Sequence, residues 1–263
     1  MRTRLVVGNW KMNCTLREST ALVESLMHYV DTRADVDVAI CPSFVSMAKV
    51  RDLLRNSHIK LGAQDAFWDN FGAFTGQVSA AMLYDVGVTY CIVGHSERRG
   101  RFGKLEVPRS TLGYFGDTNE TVNLKLKSLL YYSINPILCV GETLSEREEG
   151  QTDAVIEAQI RGALAGFDAA ELAFLSVAYE PVWAIGTGHA CDPDEADRVC
   201  GMIRNLVAES TEDWLADDVR VLYGGSVKRE NAGEFFRRPN IDGGLVGGAS
   251  LDAKDFSLIV LGA

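Results

Sequence analysis

Eight short runs of β-branched and other apolar residues recur along this chain, with a helical pattern between most neighbouring pairs. That alternation is the strongest constraint on its fold. The runs fall at 5–9, 36–41, 59–63, 90–93, 136–140, 175–179, 219–223 and 244–246, and amphipathic stretches at 16–30, 43–55, 119–131, 153–165, 193–208 and 229–236. Helix starts are marked by Asn119 with Glu120 and by Asp192 before Pro193. Strands separated by helices need parallel pairing, and eight of them close into a (β/α)8 barrel. The 263 residues, 47% of them apolar, contain no Pro/Ser-rich linker, so one α/β barrel domain over 1–263 is expected. A doubly wound open sheet would call for Gly-x-Gly-x-x-Gly after the first strand, and none is there.

In such a barrel, chemistry collects where strands end and loops begin. The sixth run ends on an acid: Leu175-Ser-Val-Ala-Tyr-Glu180, followed by Pro-Val-Trp-Ala-Ile-Gly-Thr-Gly188. Pro181 takes the chain out of the sheet, and Trp183 to Gly188 read as a mobile flap with an apolar tip. A carboxylate under a lid that expels water becomes a strong base. Strand one ends in Asn9-Trp10-Lys11, strand three in Gln64-Asp65 and strand four in Gly94-His95-Ser96-Glu97-Arg98-Arg99. The loop Gly72-Ala-Phe-Thr-Gly-Gln-Val-Ser79 carries an apolar tip that a lone monomer would leave wet. Strands seven and eight end in glycine-rich turns, Tyr223-Gly-Gly-Ser-Val227 and Leu245-Val-Gly-Gly-Ala-Ser250. Two such turns at consecutive strand ends make an anion cradle of backbone N–H groups.

Twenty-six Lys and Arg stand against 36 Asp and Glu, giving a net charge of −10. Nucleic acid and anionic membranes are thereby poor partners, and an anionic small substrate needs local positive charge. The six cysteines (Cys14, Cys41, Cys91, Cys139, Cys191 and Cys200) form no Cys-x-x-Cys pair and no metal-like grouping with the four histidines. After Met1-Arg-Thr-Arg the first apolar run is too short for a signal peptide, and no run approaches a membrane span. A reducing, cytoplasmic setting is expected, with the sequons at Asn13 and Asn119 as chance matches.

Taken together, Asn9-Trp10-Lys11-Met12-Asn13, Phe74-Thr75-Gly76, Gly94-His-Ser-Glu-Arg-Arg99, Cys139-Val-Gly-Glu142, Tyr179-Glu-Pro-Val-Trp-Ala-Ile-Gly-Thr-Gly188, Tyr223-Gly-Gly-Ser-Val227 and Leu245-Val-Gly-Gly-Ala-Ser-Leu251 resemble the triosephosphate isomerase family, in order and over almost the full chain. The resemblance implies a cofactor-free, metal-free homodimer that interconverts dihydroxyacetone phosphate and D-glyceraldehyde 3-phosphate. It makes Glu180 the base, His95 the neutral electrophile at the carbonyl oxygen and Lys11 the cation facing the enediolate. It assigns Asn9, Trp10, Lys11, Ser96 and Glu97 to the substrate. Backbone donors at Gly186, Ser226, Gly247 and Gly248 go to the phosphate, and Phe74, Thr75, Gly76 and Arg98 to the dimer contact. The neutral imidazole and closing lid are standard features of that family.

Three features depart from its pattern. Residues 100–114 fill a gap that the family usually spans with about two, and they carry Arg101, Lys104 and Arg109 against Glu106. A surface loop tolerates such length cheaply; the alternative is an extension of the dimer contact or of the mouth of the site. The trailing end of the lid reads His189-Ala190-Cys191 instead of a Lys and two small residues, and Gln77 replaces a usual Glu. A catalytically idle phosphate-binding barrel is the competing reading, as is another phosphosugar enzyme on the same fold. The former would need the glycine cradles but not Glu180, His95 and Lys11 as well.

Overall fold

A computed structural model describes residues 2–30, 35–104, 107–187 and 191–263. Eight parallel strands close in chain order, the last against the first: β1 (Arg4–Asn9), β2 (Val36–Cys41), β3 (Lys60–Ala63), β4 (Tyr90–Val93), β5 (Asn135–Val140), β6 (Ser176–Tyr179), β7 (Arg220–Tyr223) and β8 (Gly243–Val246). Each lies within one residue of the run expected from sequence. The strand period of two divides the apolar residues between two layers. Leu5, Val7, Tyr90, Ile92, Ile137, Cys139, Ala178 and Leu222 pack inside the barrel. Val6, Cys91, Val93, Leu138, Val140, Val177, Tyr179 and Val221 face the helices.

The surrounding helices are α1 (Leu16–Val30), α2 (Met47–Leu54), α3 (Ala80–Val86), α4 (Asn119–Tyr131), α5 (Leu144–Glu148), α6 (Thr152–Leu164), α7 (Pro193–Ser210), α8 (Asp213–Asp218), α9 (Ala232–Phe236) and α10 (Ala253–Leu261). The 43–55 pattern begins as a 3-10 turn, Phe44–Ser46, and the 229–236 pattern shortens to five residues. Asp192 caps α7 by accepting from the N–H groups of Asp194 and Glu195, with Pro193 in the first turn. For α4 the cap is Thr118 rather than Asn119. Thr118 and Thr121 exchange side-chain and backbone hydrogen bonds in a capping box, which leaves Asn119 already helical. All six cysteines are free thiols. Among the described residues no helix is long and apolar enough to cross a membrane.

Where the strands start, Asp242 gathers the barrel floor. Its Oδ2 accepts from Arg204 Nη2 (2.7 Å) and Val221 N (2.9 Å), while Oδ1 accepts from Arg2 Nε (2.7 Å). Barrel closure depends on the neighbouring glycine. Gly243 has φ +140°, and a Cβ there would fall 1.9 Å from Leu5 O on β1. Gly243→Ala is expected to cost about 3 kcal/mol or more, from overlap and a disfavoured φ together. Urea denaturation checks this; a variant as stable as the parent would contradict it.

Candidate active site

The side chains that end on the open face of the barrel follow from the same parity as the core. Ala178 points inward, so Glu180 does too, and Val7 sets Asn9 in the same way. Glu180 is 1% exposed. Its backbone continues the ladder by donating to Val140 O (2.7 Å) before Pro181 ends the strand. Two glycines make room: a Cβ at Gly141 would lie 1.7 Å from Glu180 O, and one at Gly224 would lie 2.9 Å from Glu180 Cγ. The carboxylate accepts the Ser96 N–H at Oε2 (3.0 Å). Oε1 lies 3.0 Å from His95 Nε2, but off the line that a hydrogen bond requires, and has no hydrogen-bond donor.

His95 follows β4 in a tight turn opened by Gly94 at φ +68°. The Glu97 N–H donates to Nδ1 (3.1 Å). A ring nitrogen that accepts carries no proton, so the geometry is that of a neutral imidazole with its hydrogen on Nε2, facing Glu180. Lys11 leaves β1 in a left-handed conformation, φ 51°. Such strain costs about 1–3 kcal/mol in a residue with a Cβ. Its N–H donates to Asn9 Oδ1 (3.0 Å), its carbonyl accepts from Gln64 Nε2 (2.8 Å), and Nζ pairs with Glu97 Oε1 (2.6 Å). Burial alone would raise the Glu97 carboxyl; the charge of His95, where that ring is protonated, and the Lys11 ammonium outweigh it, so its pKa lies below the usual carboxylate value.

A cavity of about 590 Å³ opens over these groups. Asn9, Lys11, His95 and Glu180 line it together with Gly186, Ser226, Gly247 and Gly248, and a Cβ at Gly247 would lie 3.6 Å from Lys11 Cε. The cavity's lining cations are Lys11, Lys228 and Arg229, of which Arg229 is paired with Glu230 and Asp255. A second cavity of about 370 Å³ shares Asn9, Lys11 and His95, and is closed by Phe44, Gly76, Gln77, Arg98 and Tyr114. The arrangement sets a dry carboxylate, a ring N–H, an ammonium and glycine-rich backbone around one space.

The triosephosphate isomerase family model matches residues 4–263. The chain belongs to the triosephosphate isomerase family. It is 48% identical over 263 residues to the triosephosphate isomerase of Carboxydothermus hydrogenoformans, with the whole of both chains covered. It is 47% identical over 261 residues to that of Chlorobium phaeobacteroides and 45% over 260 residues to that of Endomicrobium trichonymphae, each match covering 99% of this chain and 98% of the relative.

Most of the residues singled out by the triosephosphate isomerase pattern converge here; Trp10 does not. Its side chain is fully buried in the layer between sheet and helices and lines neither cavity. Asn9 points inward, so the next residue must point outward. Phe74, Thr75 and Gly76 lie on an exposed loop, with the Phe74 ring tilted against Phe67 at 4.6 Å between centroids. Arg98 pairs with Asp65 at 2.9 Å, so its counter-ion comes from the end of β3, whereas Gln77 lines the second cavity. Of the lid's trailing end, His189 and Ala190 lie outside the described residues, and Cys191 is buried.

Three supporting side chains had no assigned role in the sequence reading. Gln64 donates to both Lys11 O and Cys41 O (2.8 and 2.9 Å), tying strands one to three under the ammonium. Glu142 is buried and accepts from Tyr179 Oη (3.1 Å) and Trp183 Nε1 (2.8 Å). Burial pushes its carboxyl up against those donors and the Arg147 charge. Arg147 also lies 4.5 Å above the Trp183 ring. The signals were present, a Gln ending a buried strand and a Glu in Cys139-Val-Gly-Glu142, but their partners lie far away along the chain.

A carboxyl whose pKa is depressed on folding contributes stability above its unfolded pKa and loses it as pH falls through the folded value. Glu97→Gln is therefore expected to lower the urea midpoint at neutral pH, with the deficit shrinking through and below the carboxylate range. A deficit that stays constant with pH would rule out this linkage.

Proposed function

We propose that the chain interconverts dihydroxyacetone phosphate and D-glyceraldehyde 3-phosphate by proton transfer through an enediolate, a step of glycolysis and gluconeogenesis. The observation that carries this reading is the neutral His95 Nε2 set 3.0 Å from Glu180 Oε1 at the end of a glycine-lined cavity that also holds Lys11. Glu180 takes a proton from the carbon beside the carbonyl. The C–H electron pair becomes the carbon–carbon double bond, and charge moves onto the carbonyl oxygen. His95 Nε2–H donates to that oxygen, and Lys11 offsets its charge. His95 passes its Nε2 proton to that oxygen and takes the hydroxyl proton of the first carbon, while Glu180 returns its proton to the neighbouring carbon. The first carbon thus becomes the new carbonyl, and both side chains regain their starting state. Asn9 helps position the substrate, while Ser96 and Glu97 hold Glu180, His95 and Lys11 in register. Trp10 is left out of the substrate set because it reaches no cavity.

Backbone N–H groups of Gly186, Ser226, Gly247 and Gly248 bind the phosphate, so that binding energy from a remote group orients the reacting carbons. The flap from Trp183 closes over the site, as is standard for this family, and keeps water from an enediolate that would otherwise eliminate phosphate.

The working unit is a cytoplasmic homodimer of single-domain chains. Met12, Val45 and Phe71 are almost fully exposed, and such apolar side chains, like the exposed loop of Phe74, Thr75 and Gly76, are suited to being covered by a second copy. Residues 100–114 are an insertion after strand four, and Tyr114 lines the second cavity beside Gly76.

A coupled assay of dihydroxyacetone phosphate formation from glyceraldehyde 3-phosphate tests the reaction. Fast turnover in the parent is expected, with kcat reduced about a thousandfold in Glu180→Ala. No turnover in a folded parent would leave a phosphate-binding barrel instead. Sedimentation should give twice the mass of one chain; the mass of a single chain would remove the dimer.

A further inference from the structure

We propose that residues 100–103 act as a fixed stop for the lid, with Gly103 as a positioning residue that sets where Ile185 and Gly186 rest over the cavity. This rests on the reading of 182–187 as the lid of an isomerase site. Gly103 lies directly against that segment. A Cβ on it would come within 2.4 Å of Val182 O, 2.5 Å of Ile185 O and 3.1 Å of Thr187 Cγ2. Two of these three atoms are backbone, so the lid cannot yield by a rotamer change alone. Gly103 is not among the glycines of positive φ, so it is space rather than backbone conformation that calls for glycine here.

A stop must itself be held. Arg101 N donates to Ser96 O (2.9 Å), which ties the segment to the turn carrying His95. The Arg101 guanidinium donates from Nη2 to Gly141 O (3.2 Å) and pairs with Glu146, fixing it to the loop after β5. The neck is closed at Gly100, where a Cβ would meet Phe115 O at 3.1 Å, and by the edge-to-face pair of Phe102 and Phe115 at 5.3 Å. The lid has its own tethers, Trp183 on Glu142 and Thr187 Oγ1 donating to Trp183 O (2.7 Å). Its first turn thus rests between anchored groups, and moving the stop moves the Gly186 N–H relative to the other phosphate donors.

Gly103→Ala and Gly103→Val in the full chain test this. Gly113→Ala is the control, since Gly113 lies in the same segment and a Cβ there meets nothing within 4 Å. The first readout is the fluorine resonance of 5-fluorotryptophan at position 183, assigned with Trp183→Phe. The second is affinity for inorganic phosphate by calorimetry, and the third the kcat and KM of isomerisation. The Gly103 variants are expected to shift the Trp183 resonance in the free protein and weaken phosphate binding about tenfold. KM should rise more than kcat falls, and Gly113→Ala should match the parent. Arg101→Gln, which frees the stop without adding bulk, should shift the same resonance; it carries the test if the Gly103 variants do not fold. A parent-like Trp183 resonance and phosphate affinity in a folded Gly103→Val would overturn the proposal. An inactive parent would defeat the isomerase reading instead, and the resonance and phosphate arms would still decide whether Gly103 sets the lid.

Discussion

Keeping one ionisable carboxyl out of water at the rim of the barrel is the constraint around which the site is built. A buried carboxylate without partners is costly, and one with too many is a poor base. Glu180 meets both limits. One oxygen takes a backbone N–H from Ser96, and the other faces a ring hydrogen that is near but misaligned. The fold contributes by subtraction as much as by contact. Gly141 and Gly224 are the absent side chains that let three neighbouring strand ends crowd around the acid. A side chain at Gly141 would push on the Glu180 backbone, and one at Gly224 on the Glu180 side chain itself.

Lys11 illustrates the same economy from the opposite direction. A left-handed lysine persists only where its surroundings over-determine it. Asn9, Gln64 and Glu97 hold its N–H, carbonyl and ammonium respectively, from three separate strand ends. The strain aims the ammonium across the barrel mouth rather than out into solvent. A lysine in ordinary extended backbone would lose that direction and regain the entropy of a solvated side chain.

The strands are legible in sequence because each is a compact, mainly apolar run bounded by turn residues. The open-face inventory followed from knowing where strands end. Helices α3, α5 and α8 are poorly marked because five to seven residues give a 3.6-residue period too few repeats to stand out. Thr118 was passed over as a cap because Asn119 is an equally good candidate, and only the hydrogen bonds distinguish them. Trp10 was assigned to substrate by its place in a motif, although the strand period already turned it away once Asn9 faced inward. Gln64, Glu142 and Gly103 belong to a different class. What they do depends on residues tens of positions away, and no local pattern carries that information.

The buried Asp242 cluster sits at the end of the barrel opposite the cavity, where it joins the N-terminal segment, α7 and the start of β7. Its position separates two selective pressures in space. Changes among Arg2, Arg204 and Asp242 alter how firmly the barrel floor is closed, while the far rim is free to change its loops. In a barrel of this kind the floor and the loops of the rim are held by separate sets of contacts, so a change in one need not be compensated in the other.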